Sequence, residues 1–362
     1  MTDAAAFRAQ FPVLERRAYL NAGTEGPVPN CTAQAVQDRL RLELETGRCG
    51  PDYFTPLMEL RDRSRAGYAA VLGASPEEVA LTGSTTDGVN TVLSGLDLRD
   101  GDEILTSDEE HPGLLAPLAL AQRRRGVRVR VVPFAELGSA IGPDTRLVAC
   151  SHVSWVSGRM VDSAALSASG VPVLLDAAQA FGAVPVDVKA LGCAYYAASG
   201  QKWMCGPEGS GCLYVEPGRL DELEVAWPGY SSLADPAQAL TSGPAEGVGR
   251  LDHGFPSGLR STWALASMQV LADAGWDWVH ERAATLAAGL ADALAARDLT
   301  VGPRGRTTLV SWVAEDPAAE VERLAGHGIV VRSIPAFSMV RASVGAWSSE
   351  EELARLVELA AV

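Results

Sequence analysis

The segment AYYAASGQKWMCGPEGSGCLYV, residues 194–215, is the most informative part of this sequence. Its first apolar run predicts a buried strand that ends near Ser199, and Lys202 follows in a turn that contains glycine. A second apolar run at 211–215 predicts another buried strand. A lysine in such a place loses hydration, which lowers its pKa and makes the amine nucleophilic. Taken alone, the segment fits a lysine in a surface loop equally well.

Short apolar runs alternate with helical patterns across residues 60–216. Several runs are continuously apolar, which is typical of strands buried on both faces of a mostly parallel sheet. Helical patterns at 85–96 and 112–125 lie between them. The sequence therefore predicts an α/β fold with a seven-stranded, mostly parallel sheet. The predicted strands lie at 79–81, 103–106, 128–132, 147–151, 172–176, 194–198 and 211–215.

The C-terminal part of the chain predicts a smaller α/β subdomain. A loop rich in Ala, Gly, Pro and Ser at 233–248 precedes one long predicted helix, 262–297, with a weak point at Gly275. The tail predicts strand 308–313, helix 317–327, strands 329–332 and 340–344, and helix 349–359. We expect an N-terminal segment packed on the small domain, a large domain and a small domain, with bounds 1–20, 21–285 and 286–362.

Composition excludes several classes of partner. The net charge of −15 repels nucleic-acid phosphates and anionic lipid. No apolar run approaches the roughly 18 residues of a membrane span, and the N-terminus resembles no signal peptide. The six cysteines include no C-x-x-C pair, so we expect reduced thiols. We therefore expect a soluble cytoplasmic protein without a metal site.

Asp176 makes a cofactor site more specific. It ends an apolar run in VPVLLDAAQAFG, residues 171–182, at the strand end where open α/β sheets bind ligands. Pyridoxal 5′-phosphate (PLP) has a ring nitrogen that must stay protonated, and an adjacent aspartate favours that form. Gln179, three residues on, is placed to reach the 3-oxygen of the ring. The alternative is an N-cap aspartate, but Lys202 at a nearby strand end favours PLP.

Two further segments fit the same cofactor. Ser84, Thr85 and Thr86 lie between a predicted strand and a predicted helix, where hydroxyls and free N–H groups suit a phosphate. Ordinary Ser/Thr helix caps share this pattern. His111 follows another predicted strand and can stack on a pyridine ring and exchange protons near neutral pH. A plain loop histidine is the alternative.

Taken in order, these segments resemble the class V aminotransferase family of PLP enzymes, which includes cysteine desulfurases, cysteine/cystine C–S lyases and isopenicillin-N epimerases. SGQKWMCGPEGSGCLYV, residues 199–215, resembles the family signature S-x-H-K-x-x-G-P-x-G-x-G-x-L-Y-V, with one extra residue before Gly206. The resemblance implies an aspartate-aminotransferase-like fold of type I. It also implies that Ser199 binds the phosphate and that Lys202 carries PLP as a Schiff base.

The resemblance extends to substrate-binding segments. YLNAGTEGPVP, residues 19–29, looks like the family's N-terminal loop, which implies Asn21 and Ala22 beside the substrate. The C-terminal segment implies that Arg341 holds the substrate α-carboxylate, for which a guanidinium fork is suited, with Arg332 as second candidate. RLDHGFPS, the eight residues from Arg250, resembles a loop that reaches the neighbouring subunit's site. It therefore implies a homodimer with shared sites.

Four positions depart from the family pattern. Gln201 stands where desulfurases usually have histidine, and Trp155 replaces the usual asparagine in the segment beside the cofactor's 3-oxygen. Phe255 replaces the threonine that binds the phosphate from the other subunit, which leaves only its backbone N–H. Phe337 stands about where desulfurases carry their persulfide-forming cysteine, and no cysteine lies in the C-terminal third.

These residues predict an enzyme that acts on an α-amino acid. Lys202 takes the Cα proton, Asp176 keeps the ring protonated, and His111 protonates the departing group or the ring oxygen. The preferred reaction is β-elimination from cysteine or a related sulfur amino acid, which makes the enzyme a lyase. Transamination is the second choice and epimerisation the third. A catalytically silent scaffold is disfavoured because Lys202, Asp176 and Gln179 are all retained.

Overall fold

The computed structural model describes residues 3–360 of the chain. The strands are β1 (Ala18–Tyr19), β2 (Val79–Thr82), β3 (Glu103–Ser107), β4 (Arg128–Val132), β5 (Thr145–Ser151), β6 (Val173–Asp176), β7 (Tyr195–Ser199), β8 (Gly211–Val215), β9 (Leu309–Val313), β10 (Ile329–Val330), β11 (Arg332–Ile334) and β12 (Met339–Ser343). The helices are α1 (Ala4–Arg8), α2 (Asn30–Thr46), α3 (Gly50–Leu72), α4 (Thr85–Gly95), α5 (Pro112–Arg125), α6 (Leu137–Ala140), α7 (Ser163–Ala168), α8 (Val188–Leu191), α9 (Gly258–Ala274), α10 (Trp276–Ala295), α11 (Pro317–Gly326) and α12 (Glu350–Leu359).

The large sheet confirms the predicted α/β fold. Its seven strands lie in the order β2-β8-β7-β6-β5-β3-β4. The pairs from β4 to β7 are parallel, whereas β8 runs antiparallel to both of its neighbours. Each strand begins and ends close to its predicted bounds, and β4 and β8 match them fully. The carboxyl ends of the parallel strands therefore meet at one edge, where open α/β sheets bind ligands.

Both faces of the central strands of this sheet are buried, which explains why several strands read as continuous apolar runs, whereas the edge strand β4 is partly exposed. In β5, Val148 and Cys150 belong to one hydrophobic cluster, and Leu147 and Ala149 belong to another on the opposite face. All four side chains are fully buried. Successive side chains of a strand point to opposite faces, so a strand covered on both sides needs apolar residues at every position.

The C-terminal part forms a three-stranded antiparallel sheet in the order β11-β12-β9, while β1 pairs with β10. Leu20 and Trp312 share one hydrophobic cluster there. The predicted single helix 262–297 is instead two helices, because Gly275 has a φ of 88°. This left-handed conformation suits glycine and interrupts a helix. The predicted boundary after residue 285 falls within α10.

The ends of the predicted outer ranges, residues 1–2 and 361–362, lie outside the described residues. Within the described chain, no helix has both the length and the apolar character needed to cross a bilayer. The cysteines are all unpaired: Cys31 and Cys49 are exposed, and the other four are buried.

Candidate active site

Five loops converge on one cavity of about 220 Å³ at the carboxyl edge of the large sheet. Ser84 follows β2, His111 follows β3 and Trp155 follows β5. Asp176 ends β6, and Lys202 lies three residues after β7. All five residues line the cavity. Their convergence follows from the parallel strands, which place the ends of separate chain segments side by side.

Lys202 is poised to act as a nucleophile. Burial lowers the pKa of its amine from the ordinary value to about 8. Asp176 opposes this shift by its negative charge, and Arg341 adds to it by its positive charge. A lysine with a lowered pKa has a larger neutral fraction near pH 7, which is the form that attacks carbonyl carbon and accepts protons.

Asp176 is a buried carboxyl at the base of the cavity, with 5% of its surface exposed. Its Oδ1 accepts a hydrogen bond from the Ala178 N–H at 2.9 Å. Burial raises its pKa above the ordinary value, and the Lys202 charge lowers it. A second cationic donor inside the cavity would therefore stabilise the carboxylate.

The opposite end of the cavity is formed by the N-terminus of α4. Ser84 caps this helix by accepting a hydrogen bond from the Asp87 N–H at 3.1 Å. The Thr85 N–H donates to Ser199 Oγ at 2.9 Å, and the Thr85 and Ser199 hydroxyls are 2.8 Å apart. Hydroxyls and a helix N-terminus together form a site that suits a phosphate.

His111 lies on the side of the cavity, against Trp155. The two rings meet edge to face, with centroids 4.9 Å apart. His111 Nδ1 accepts a hydrogen bond from the Gly113 N–H at 3.0 Å, so this nitrogen carries no proton. Burial, together with the charge of Lys202, lowers the pKa of His111 to about 4. The structure thus differs from the expectation of proton exchange near neutrality, because the buried imidazole stays neutral there.

Arg341 and Arg332 face each other across the β11–β12 pair. Arg341 is fully buried and donates from Nη1 to the Trp155 carbonyl at 2.6 Å. Its Nε and Nη2 have no hydrogen-bond partner among the described residues. Burial lowers the pKa of Arg341 to about 9. Arg332 instead donates to Thr24 Oγ1 at 2.9 Å and lies 5.7 Å from the Trp155 ring centre.

Gln179 links the cavity to the N-terminal loop. Its Nε2 donates to the Gly23 carbonyl at 2.8 Å, and its Oε1 accepts from the Trp203 indole at 3.1 Å. A Cβ on Gly23 would lie 2.7 Å from Arg341 Nη2 and 2.9 Å from Gln179 Oε1. The close approach of this loop therefore requires glycine.

Most of the residues predicted from the sequence lie together around this cavity. They are Ser84, Thr85, Thr86, His111, Trp155, Asp176, Gln179, Ser199, Gln201, Lys202, Arg332 and Arg341. Gly23, Thr24, Glu25 and Ala178 also line it, although the sequence analysis named none of them as site residues. Gly23, Thr24 and Glu25 belong to the glycine-containing loop 19–29, which the sequence analysis had placed beside the substrate.

Three predicted residues do not line the cavity. Ala22 is fully buried in the core, and Asn21 Oδ1 accepts a hydrogen bond from Thr24 Oγ1 at 2.9 Å. Phe255 lies on an exposed loop, with its ring edge to face with Phe54 at 6.1 Å. Asn21 and Ala22 precede the lining residues in one loop, whereas Phe255 belongs to a different surface of this chain.

PLP fits the cavity. Asp176 would pair with the ring nitrogen, the α4 N-terminus with Ser199 would hold the phosphate, and Lys202 would bind the aldehyde carbon. Buried polar atoms without partners among the described residues also line the cavity: Gln201 Oε1, Trp155 Nε1, and Arg341 Nε and Nη2. Since buried polar groups are normally hydrogen-bonded, these atoms indicate a site built for a polar ligand.

Comparisons with known proteins agree with this fit. The class-V aminotransferase family model matches residues 19–356. The chain is 30% identical to a cysteine desulfurase of Salmonella typhimurium, over 97% of this chain and 95% of the relative. It is also 34% identical to isopenicillin N epimerase of Streptomyces clavuligerus and 31% identical to a probable cysteine desulfurase of Methanothermobacter thermautotrophicus. Those two alignments span only 56% and 60% of the relatives' length.

Two solved structures of C-DES superpose on nearly the whole chain. One is a variant with glycine covalently linked to its PLP cofactor, with a TM-score of 0.92 and 28% identity over 97% of this chain and 98% of that chain. The other is a complex of the cystine C–S lyase C-DES with its reaction product, cysteine persulfide, with a TM-score of 0.91 and 29% identity over 96% and 98%. The chain therefore belongs to the class-V aminotransferase family, and its cofactor is pyridoxal 5′-phosphate.

Proposed function

We propose that this protein is a PLP-dependent C–S lyase that performs β-elimination on cysteine, cystine or a related sulfur amino acid. One observation carries the proposal: the cavity brings together Lys202, Asp176 and a buried Arg341 with free donors, and no cysteine lines it in the described chain. The likeness to C-DES, a cystine C–S lyase, supports the same reaction class.

The roles of the residues follow from their surroundings. Bound PLP supplies an electron sink for the pair of electrons that Cα deprotonation releases. Arg341 holds the α-carboxylate with Nε and Nη2, and Lys202 Nζ takes the Cα proton. Asp176 keeps a positive charge on the ring nitrogen, and His111 supplies a neutral aromatic face. Trp155 closes the cavity beside His111 and thereby excludes water.

The cysteines support elimination over persulfide transfer. Burial raises the pKa of the four buried thiols above their ordinary value, so these thiols stay protonated and unreactive. Cys31 and Cys49 are exposed but do not line the cavity. Phe337 lies in a turn between β11 and β12, about where the sequence resemblance implies a cysteine in desulfurases.

Products of turnover test this function. With cysteine or cystine we expect pyruvate and ammonia together with sulfide or a persulfide, and no alanine, because alanine requires a thiol that strips sulfur from the substrate. Alkylation of the accessible thiols should change the rate less than about twofold, since no cysteine has a role here. Alanine as the main product, together with inactivation by alkylation, would contradict the proposal.

The same experiment separates the alternatives within the family. Accumulation of the amino form of the cofactor, without pyruvate, would favour an aminotransferase. Exchange of the α-hydrogen with inversion and no net loss of amino acid would favour an epimerase. Each outcome has its own readout, namely the visible spectrum of the cofactor and the chiral analysis of the recovered amino acid.

Arg341→Lys should weaken substrate binding. The variant keeps a positive charge but loses the planar fork, so we expect KM for cysteine to rise about 10- to 100-fold, corresponding to charge-assisted hydrogen bonds of about 1.5–3 kcal/mol. The matched variant is Arg332→Lys, whose donor already binds Thr24. If KM rose more in Arg332→Lys than in Arg341→Lys, Arg332 would be the residue that binds the substrate carboxylate.

We also propose that two copies of the chain form a homodimer in which both subunits contribute to each active site. The loop RLDHGFPS is anchored at its base, where Asp252 accepts from Arg65 at 2.6 Å and from the Leu81 N–H at 2.8 Å. Its tip exposes Phe255. Large apolar side chains are also exposed on α2, on α3 and between β8 and α9, including Leu40, Leu42, Leu44, Phe54, Trp227, Tyr230 and Leu240. Exposed apolar surface of this extent favours burial by a partner.

Sedimentation tests the dimer directly. At micromolar concentration we expect twice the chain mass of 38.0 kDa. A monomer with full activity would refute shared sites. The unpaired cysteines suit a reducing compartment and support the proposed cytoplasmic location, which fractionation of the source cells tests.

A further inference from the structure

Glu25 is a carboxyl group in the cavity that the mechanism above does not use. It lines the cavity on the N-terminal loop, is half-buried, and interacts electrostatically with Lys202. The loop is fixed on both sides of it. The Tyr19 hydroxyl donates to the Glu25 carbonyl at 3.0 Å, and the Gly26 N–H donates to the Gln201 carbonyl at 2.8 Å.

Elimination needs an acid for the departing sulfur, and the other cavity groups are poor candidates. His111 is neutral near pH 7 because its pKa is about 4, and its Nδ1 is engaged by Gly113. Asp176 lies buried at the base and must stay ionised to serve the ring nitrogen. Lys202 exchanges its proton with Cα, a step that the proposal keeps separate from protonation of the sulfur. The remaining charged groups that line the cavity are Arg341, which the proposal assigns to the substrate carboxylate, and Arg332, which donates to Thr24.

We propose that Glu25 is the general acid that protonates the sulfur leaving group during C–S cleavage. This inference rests on the proposed elimination reaction. As the Cβ–S bond breaks, its electron pair goes to sulfur, and the pair released at Cα forms the second Cα–Cβ bond. The O–H bond of the Glu25 carboxyl breaks and its proton goes to sulfur. A neutral thiol then leaves, and solvent returns a proton to the Glu25 carboxylate.

The surroundings of Glu25 favour its protonated form near neutral pH. Burial, together with the charge of Glu208, raises the pKa of its carboxyl to about 7, and the Lys202 charge opposes this shift. The titratable groups that interact with it are Lys202, Glu208 and Tyr19. A group with a pKa near the working pH combines a populated acid form with sufficient acidity.

Leaving-group dependence tests the role of Glu25 in the holoenzyme. We expect Glu25→Gln to lower kcat about 100-fold with S-methylcysteine, whose alkyl thiolate is a poor leaving group. With cystine, whose persulfide leaves readily as an anion, the loss should be less than about threefold. Exchange of the Cα hydrogen in D₂O, followed by NMR, should keep its wild-type rate, because Lys202 performs that step. Glu25→Asp should restore part of the S-methylcysteine rate.

Glu208→Gln is the matched control, because it removes a charge near Glu25 and leaves the cavity lining intact. The kcat for S-methylcysteine should fall as pH rises through the pKa of Glu25, since the acid must be protonated. Without the Glu208 charge the pKa of Glu25 is lower, so this fall should move to lower pH. In Glu25→Gln the fall should disappear.

Three results would overturn the proposal, and they distinguish its failure from that of the elimination reaction. An equal loss of kcat with both substrates, or a loss of Cα exchange, would show that Glu25 does not act on the leaving group. Absence of pyruvate from wild-type enzyme with either substrate would remove the elimination reaction itself and the role of Glu25 with it.

Discussion

In the Lys202→Ala variant we expect no covalent attachment of PLP and a loss of turnover of at least about 10⁴-fold, the upper range for a missing acid–base group. Both effects would have one cause, because the proposal assigns to Lys202 both the attachment of the cofactor and the removal of the Cα proton. The fold should persist, since alanine removes a side chain from a cavity wall and leaves the hydrophobic clusters of the sheet untouched.

The sequence makes this test unusually sharp, because it contains only two lysines, Lys189 and Lys202. Lys189 is exposed and forms an ion pair with Glu78 at 3.5 Å. After borohydride reduction, mass spectrometry should find the cofactor on Lys202 in wild-type protein and in Lys189→Ala, and nowhere on the Lys202→Ala chain. Reduced cofactor on Lys189 would contradict the assignment of the site.

The Asp176→Asn variant should still bind PLP but lose about 10²- to 10³-fold in kcat. Asparagine keeps the acceptor for the Ala178 N–H and the volume of the side chain, and removes only the charge. A buried cationic ring nitrogen without its partner costs about 3–5 kcal/mol, and each 1.4 kcal/mol is tenfold in rate. The visible spectrum reports the bound cofactor, and single-turnover kinetics report the chemical step.

Glu103→Gln is the control for loss of a buried carboxylate. Glu103 lies at the opposite end of the sheet, on β3, where it binds Arg130 at 2.9 Å and Thr145 at 2.9 Å. The Arg130 hydrogen bond holds the pKa of Glu103 below its usual range, so its loss should affect stability and leave kcat unchanged. Near-normal activity in Asp176→Asn would rule out a role for its charge.

The sequence alone predicted the architecture because local patterns specify it. The seven predicted strands match those of the large sheet within about two residues. Several were found as continuous apolar runs, since burial on both faces requires apolar side chains at every position. Asp176 and Lys202 were found because each follows such a run, and the ends of parallel strands must converge. The break of the predicted helix 262–297 at Gly275 was indicated but not predicted, since a single glycine is tolerated in many helices.

Family signatures identified positions whose partners lie far away in the chain. Arg341 was assigned to the substrate carboxylate by resemblance, but the sequence did not indicate that its Nε and Nη2 would lack partners. Gln179 was expected near the 3-oxygen of the cofactor, and the structure adds its hydrogen bond to Gly23. Neither the hydrogen bond from Gln179 to Gly23 nor the one from Arg341 to Trp155 follows from a local pattern, because each joins segments more than 150 residues apart.

The sequence by itself predicted the order of elements and the positions of Lys202 and Asp176 at the ends of neighbouring strands, because periodicity and short motifs act within a few residues. The tertiary structure alone decided the protonation of the site. His111 was expected to titrate near neutrality, and burial beside Lys202 and two arginines lowers its pKa to about 4. No sequence pattern indicated a role for Glu25, but burial beside Glu208 raises its pKa to about 7. Both shifts depend on desolvation and on charges from distant segments, which only the folded chain brings together.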